Sequence, residues 1–145
     1  MSLRVAINGF GRIGRMVFRK AIHEETIDIV AINATYPTTT LAHLIKYDSI
    51  HGTFSGEVKA EEDKLIVNNK EIQVVSDRNP ANLPWDQLGI DVVVEATGKF
   101  RSREGAKLHL EAGAKKVVIT APGKDEDVTI VMGVNENAYN PDKHQ

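Results

Sequence analysis

A doubly wound α/β domain, with a mostly parallel sheet and an antiparallel hairpin insertion, is the fold class that this 145-residue sequence predicts. Three observations carry it. Short β-branched runs alternate with stretches of helix length and helical spacing. The strand-like runs are apolar at successive positions, as strands covered on both faces must be. Two βαβ units are visible, and right-handed crossovers then lay helices on both sides of one sheet.

The elements follow in chain order. "LRVAIN" (3–8) reads as the first strand. Behind it, Ile13, Val17, Phe18 and Ile22 share one helical face, with Arg12, Arg15 and Arg19 elsewhere. "DIVAIN" (28–33) is the next strand, and Thr39 or Thr40 is placed to cap a short helix carrying Leu41, Leu44 and Ile45. Residues 50–76 change character: glycines, the "NNK" turn at 68–70 and the runs "KLIV" and "EIQVV" predict the hairpin insertion. "NPANLPW" (79–85) is turn-rich, and Trp85, the sole tryptophan, is expected to anchor packing. Alternation resumes with strand "DVVVEA" (91–96), a helix around 102–113, strand "KVVIT" (116–120) and strand "VTIVMGV" (128–134). The closing "NAYNPDKHQ" is polar and turn-like, with no helix to cover the last strand, which suggests a domain cut short.

Composition narrows the function. The length suits one domain with a real core. A net charge of −2 and the lack of any basic block argue against a nucleic-acid partner. The absence of cysteine removes disulfides, thiolate metal sites and thiol catalysis from this chain, and fits a reducing compartment. "MSLRVAINGFGRIGRMVF" mixes glycine and arginine into its apolar residues, so it is neither a signal sequence nor a membrane span. No membrane partner and a cytoplasmic location are the resulting expectations. No metal site is expected either, because the five histidines lack ligand spacing. His43 and His109 are expected to be solvated on their helices, His51 to be structural or subunit-facing, and "KAEEDK" (59–64) to be a solvated hairpin edge.

The chemistry concentrates at "NGFGRIGR" (8–15), which contains Gly9-x-Gly11-x-x-Gly14 between a strand and a helix. In that context the pattern predicts a dinucleotide site of Rossmann type. Gly9 permits the tight turn, Gly11 lets the backbone approach a pyrophosphate, and Gly14 allows close helix packing. The amides of Arg12 and Ile13, in the first helical turn, are the expected donors to the phosphates. The second strand ends in "INATYP" (32–37), where an NAD site places a carboxylate for the adenosine ribose. Ala34 stands there instead. A carboxylate would repel a 2′-phosphate, whereas hydroxyls of Thr35 and Tyr36 would donate to one. NADP is therefore favoured as the cofactor, with NAD bound less tightly as the alternative reading. The lost hydrogen bond to a ribose is worth roughly 1.5–3 kcal/mol, enough to weaken NAD binding without abolishing it.

The chain resembles the N-terminal cofactor domain of the glyceraldehyde-3-phosphate dehydrogenases. "INGFGRIGR", "HLIKYDSIHG", "DRNPANLPW", "VVEATGKF" and "VVITAPGKDEDVTIVMGVNENAY" look like that family's signatures, in family order. The resemblance implies that Arg12 and Ile13 hold the pyrophosphate and that Arg78 lies at the adenine edge. It implies that Thr97 and Gly98 line the cleft and that Thr120 approaches the nicotinamide-side ribose. The family's usual Asn-Asp appears here as Asn33-Ala34, which resembles the NADP-using bacterial members. By the same resemblance residues 1–145 are an NAD(P)-binding domain lacking its final helix and ending before the catalytic cysteine and histidine. No catalytic residue is then expected in this chain. Glyceraldehyde 3-phosphate and phosphate would meet only the longer parent, a homotetramer serving glycolysis or gluconeogenesis. There a thiolate adds to the aldehyde, hydride passes to the nicotinamide, and phosphate attacks the thioester. An erythrose-4-phosphate dehydrogenase cofactor domain, which shares these N-terminal signatures, is one alternative reading, and a stand-alone NAD(P)-binding module without chemistry is another.

Overall fold

The computed structural model describes residues 3–48, 52–53, 57–77, 79–97 and 103–120. Its elements are β1 (Leu3–Asn8), α1 (Arg12–Ala21), β2 (Ile27–Asn33), α2 (Thr38–Lys46), β3 (Tyr47–Asp48), β4 (Gly52–Thr53), β5 (Val58–Ala60), β6 (Lys64–Val67) and β7 (Lys70–Val75). A 3₁₀ turn (Pro80–Asn82), α3 (Trp85–Leu88), β8 (Val92–Glu95), α4 (Arg103–Glu111) and β9 (Lys116–Ile119) follow. The strand predicted at 128–134 and the polar ending lie outside the described residues.

Seven strands form one sheet in the order β5-β6-β7-β2-β1-β8-β9. The pairs β7–β2, β2–β1, β1–β8 and β8–β9 are parallel, while β5–β6 and β6–β7 are antiparallel. The predicted insertion is therefore more than a hairpin hung on the edge. Its last strand enters the main sheet beside β2, with Ala31, Ile32 and Asn33 paired to Gln73, Val74 and Val75. The turn between β6 and β7 uses Asn68 and Asn69 at φ 51° and 67°, a left-handed pair that asparagine adopts more readily than most residues.

Both faces of the sheet are covered. On one, Val5, Ile7, Ile29 and Ile32 pack with Phe18 and Ala21 of α1 and Leu41 and Ile45 of α2. On the other, Ala6, Ala31 and Val93 meet Leu83, Trp85, Ile90, Ala112 and Ala114. The small alanines of β1 and β2 leave room for the indole, which is wholly buried. Burying side chains of this size contributes roughly 1.5–3 kcal/mol each, so these two clusters supply most of the driving force for the layered arrangement.

A bulge sets the register at the sheet's centre. Val5 pairs with Ile29, but Ala6 pairs with Ala31, leaving Val30 as the extra residue. The shift lets Ile29 and Ile32 share one face although three positions separate them. It also brings Asn33 opposite Asn8 at the strand ends.

Two helix expectations change. Ile13 does not join the core: it is 41% exposed, as is Met16. The buried stripe is Gly14, Phe18 and Ala21, spaced four and three, and Ile13 lies one residue, about 100°, away from it. Helix α2 begins at Thr38 after Pro37, without a side-chain cap, so neither Thr39 nor Thr40 serves as its cap. Proline's fixed φ sets the entry, and the Thr38 hydroxyl instead donates to the Glu61 carbonyl, tying α2 to the β5–β6 connection.

Candidate functional site

The parallel strands end together. Asn8 ends β1 with Gly9 after it, Ala34 follows β2, Glu95 ends β8 with Thr97 two residues on, and Thr120 follows β9. From β1 the chain proceeds to β2 and β7 on one side, while β8 and β9 lie on the other. The crevice between β1 and β8 is thus a topological switch point, where open α/β sheets hold their ligands.

The glycine turn is built by close approach. Gly9 has φ 94°, and a Cβ there would lie 2.7 Å from the Thr97 methyl and 2.9 Å from the Thr97 nitrogen. A Cβ on Gly14 would lie 2.3 Å from the Gly9 carbonyl oxygen. A side chain at either position would push the turn apart from β8 or from α1. Gly11 is different: no atom lies within 4 Å of where its Cβ would be. Its backbone is open to solvent, and it is the N-cap of α1 without a side-chain cap, with Arg12 and Ile13 exposed in the first turn. Arg15 donates through its guanidinium to the Phe10 carbonyl at 3.1 Å, bracing the turn from below.

At the β2 edge, Ala34 is buried and its N–H donates to the Val75 carbonyl at 3.0 Å. Its methyl belongs to the core cluster. Thr35 and Tyr36 follow on the exposed side, Tyr36 at 53%. Arg78 and Gly98 lie outside the described residues. Thr120 is fixed through Glu95: its N–H and its hydroxyl both donate to the Glu95 carbonyl oxygen at 3.1 Å.

Beneath these positions runs a buried polar ladder. The Asn33 amide donates to the Asp77 carbonyl at 2.8 Å and to Asn8 Oδ1 at 2.7 Å, while its Oδ1 accepts the Asp77 N–H at 3.0 Å. Asn8 Nδ2 donates to Glu95 Oε2 at 2.7 Å. His109 Nε2 lies 2.5 Å from the same oxygen, and Trp85 Nε1 donates to His109 Nδ1 at 2.9 Å. Thr97 supplies its N–H at 3.1 Å and its hydroxyl at 2.5 Å to Glu95 Oε1. Asn8, Asn33, Glu95 and His109 are all buried. His109 is therefore not the solvated helical histidine that spacing implied. It faces inward from α4, buried between half-buried Leu108 and Leu110 and bonded to Trp85 and Glu95.

The proton positions follow from the partners. Indole N–H can only donate, so His109 Nδ1 must accept and the ring hydrogen sits on Nε2. That hydrogen points at Glu95. The 3.2 Å approach of Asn8 Nδ2 to His109 Nε2 is then two donors converging on one oxygen. Burial alone pushes the Glu95 carboxyl up. The bonds from His109, Thr97 and Asn8 outweigh it and hold the group below its ordinary value.

Neither Glu95 nor Asn8 was singled out by motif reasoning. A glutamate ending an otherwise apolar parallel strand, "VVVE", is the signal that marks such a residue, since an acid there must be buried and paired. Among the described residues no group of histidine and carboxylate side chains could hold a metal ion, and no helix is long and apolar enough to cross a membrane.

A glycine turn at the switch point, opening a helix and facing the ends of parallel strands, defines a Rossmann-type nucleotide-binding domain. The comparisons sharpen that class. Residues 3–103 match the family model described as glyceraldehyde 3-phosphate dehydrogenase, NAD binding domain. The chain belongs to this family. It is 61% identical over 144 residues to glyceraldehyde-3-phosphate dehydrogenase 2 of Bacillus subtilis (strain 168), covering 99% of this chain and 42% of that protein. The enzyme of Geobacillus stearothermophilus is 56% identical, with 99% and 43% covered, and that of Thermotoga maritima is 56% identical, with 96% and 42% covered. The chain thus spans about two-fifths of the length of these relatives.

Proposed function

We propose that this chain is the cofactor-holding part of a phosphorylating glyceraldehyde-3-phosphate dehydrogenase and that it accepts NADP in preference to NAD. The observation that carries the cofactor choice is Ala34 at the end of β2, with two exposed hydroxyl residues, Thr35 and Tyr36, after it. No carboxylate stands where the adenosine ribose of NAD would meet one.

The residues at the switch point fit a dinucleotide. Gly11 leaves its backbone open, and the first turn of α1 carries no acidic side chain and no side-chain cap. The amides of Arg12 and Ile13 would hold the pyrophosphate. Thr97 and Gly98 would line the cleft, Thr120 would face the nicotinamide-side ribose, and Arg78 the adenine edge. When bound, the cofactor supplies the hydride acceptor. This chain contributes orientation and exclusion of water, and without a cysteine it contributes no thiolate to the aldehyde step. The aldehyde, the phosphate and the assembly into a cytoplasmic homotetramer belong to the whole enzyme.

Calorimetric titration with ADP-ribose and with its 2′-phosphorylated analogue tests the reading, because neither ligand needs the nicotinamide pocket. Tighter binding of the phosphorylated ligand, reversed in Ala34→Asp, is the expected result. Equal or weaker binding of that ligand would overturn the NADP preference and leave an NAD domain with one lost contact.

A further inference from the structure

We infer that Glu95 is a positioning residue for the cofactor cleft: its carboxylate holds Thr97 against the Gly9 turn, and no amide can replace it. The inference rests on the cofactor-holding role proposed above. It is carried by the polarity of the ladder, which is fixed at both ends by groups that cannot invert.

At one end the backbone of Asp77 offers both a donor and an acceptor to Asn33, so the Asn33 amide has only one satisfactory orientation. Asn33 Nδ2 then claims Asn8 Oδ1, and Asn8 is left with its NH₂ toward Glu95. At the other end Trp85 occupies His109 Nδ1, which sends the Nε2 hydrogen toward Glu95. One carboxylate oxygen therefore receives two donors from the ladder. The second receives the N–H and hydroxyl of Thr97. Only a side chain with two acceptor oxygens satisfies both pairs.

A glutamine has one oxygen. Turned toward Thr97, it would aim its NH₂ at two locked donors. Turned the other way, it would aim the NH₂ at the Thr97 N–H, which cannot accept. Because the ladder is anchored and Thr97 lies two residues past the end of β8, outside the strand pairing, Thr97 is the partner that moves. Its backbone nitrogen stands so close to Gly9 that a Cβ on the glycine would lie 2.9 Å away. A shift of Thr97 therefore changes the mouth of the β1–β8 crevice. Thr120 hangs on the Glu95 carbonyl oxygen rather than its side chain, so it stays.

The test compares this chain with Glu95→Gln and with Leu65→Val, a change in the buried core of β6 that touches neither the ladder nor the crevice. ADP-ribose affinity is measured by calorimetry, stability by urea unfolding, and the Thr97 and Thr120 amide signals by ¹⁵N-resolved NMR without ligand. Glu95→Gln is expected to weaken ADP-ribose about tenfold and to move the Thr97 amide upfield with the Thr120 amide unmoved. Leu65→Val is expected to lower stability while keeping affinity within about twofold of the parent chain. Unchanged affinity or an unmoved Thr97 amide in Glu95→Gln would overturn the inference alone. An affinity loss in Leu65→Val as large as that in Glu95→Gln would reduce Glu95 to a general stability role. Failure of the unsubstituted chain to bind ADP-ribose would instead overturn the cofactor-holding reading, and the inference with it.

Discussion

The indole of Trp85 and the imidazole of His109 are hydrogen-bonded inside the protein, Nε1 to Nδ1 at 2.9 Å, with neither side chain exposed to solvent. The bond joins the two elements that cover one face of the sheet, α3 and α4. It also decides which ring nitrogen of His109 meets Glu95. A residue that looks like a packing anchor thus sets the hydrogen-bond direction of a site two partners away.

Trp85→Phe keeps much of the apolar volume but leaves His109 Nδ1 without its donor. Loss of a buried hydrogen bond and of part of a packed ring should destabilise the chain by about 2 kcal/mol. Urea unfolding followed by far-ultraviolet circular dichroism reads this directly. A change under 0.5 kcal/mol would show that the bond carries no net stability, since that is roughly the effect of an ordinary surface substitution.

Gly14→Ala sets two effects against each other. Alanine in place of glycine within a helix gains about 1 kcal/mol. The new Cβ, however, would lie 2.3 Å from the Gly9 carbonyl, a backbone atom that cannot rotate aside. Overpacking of this kind costs typically 1–3 kcal/mol, so a net loss of about 1 kcal/mol is expected. The same displacement of α1 from the turn should lower ADP-ribose affinity more than tenfold, readable by calorimetry. A stabilised variant that binds normally would mean the turn yields easily.

Asn33→Asp replaces an amide that donates twice with a carboxylate that can only accept. One oxygen would still receive the Asp77 N–H. The other would face the Asp77 carbonyl and Asn8 Oδ1, two acceptors at hydrogen-bond distance. Destabilisation of about 3 kcal/mol at neutral pH is expected. Asn33→Ala, which removes the repulsion along with the bonds, should be less damaging. Equal losses in the two variants would rule out the acceptor clash as the cause.

Acid should expose the ladder through Glu95. Its carboxyl is held below the ordinary value of 4.5 in the folded chain. A depressed carboxylate stabilises the fold fully above its unfolded-state value, and that contribution is lost as pH falls through the folded-state value. Stability should therefore be level with respect to this group above 4.5 and decline at lower pH. Asp91, held down first by the Arg4 backbone N–H and then by Lys115, acts in the same direction. Glu95→Gln should flatten part of the acid slope while lowering stability at neutral pH. An unchanged slope measured by urea midpoints at stepped pH would show that Glu95 is not among the titrating groups.

The sequence alone determined the fold class, the glycine turn and the strand ends that face it. Continuous apolar strands, helical spacing and the position of Gly9, Gly11 and Gly14 are local patterns, and local patterns survive without knowledge of partners. The family was legible in the same way, because its signatures lie along the chain in order. The tertiary structure decided the rest. The inward turn of His109, the exposure of Ile13 and the entry of β7 into the main sheet depend on which surface each element meets. The bulge at Val30 rotates the end of β2 so that Asn33 reaches Asn8, and nothing in "IDIVAIN" announces it. The ladder from Asp77 to Trp85 joins residues up to 101 positions apart. Its members are single polar residues at or near element ends that no local pattern links to one another, and only packing in three dimensions makes their hydrogen bonds mutually obligatory.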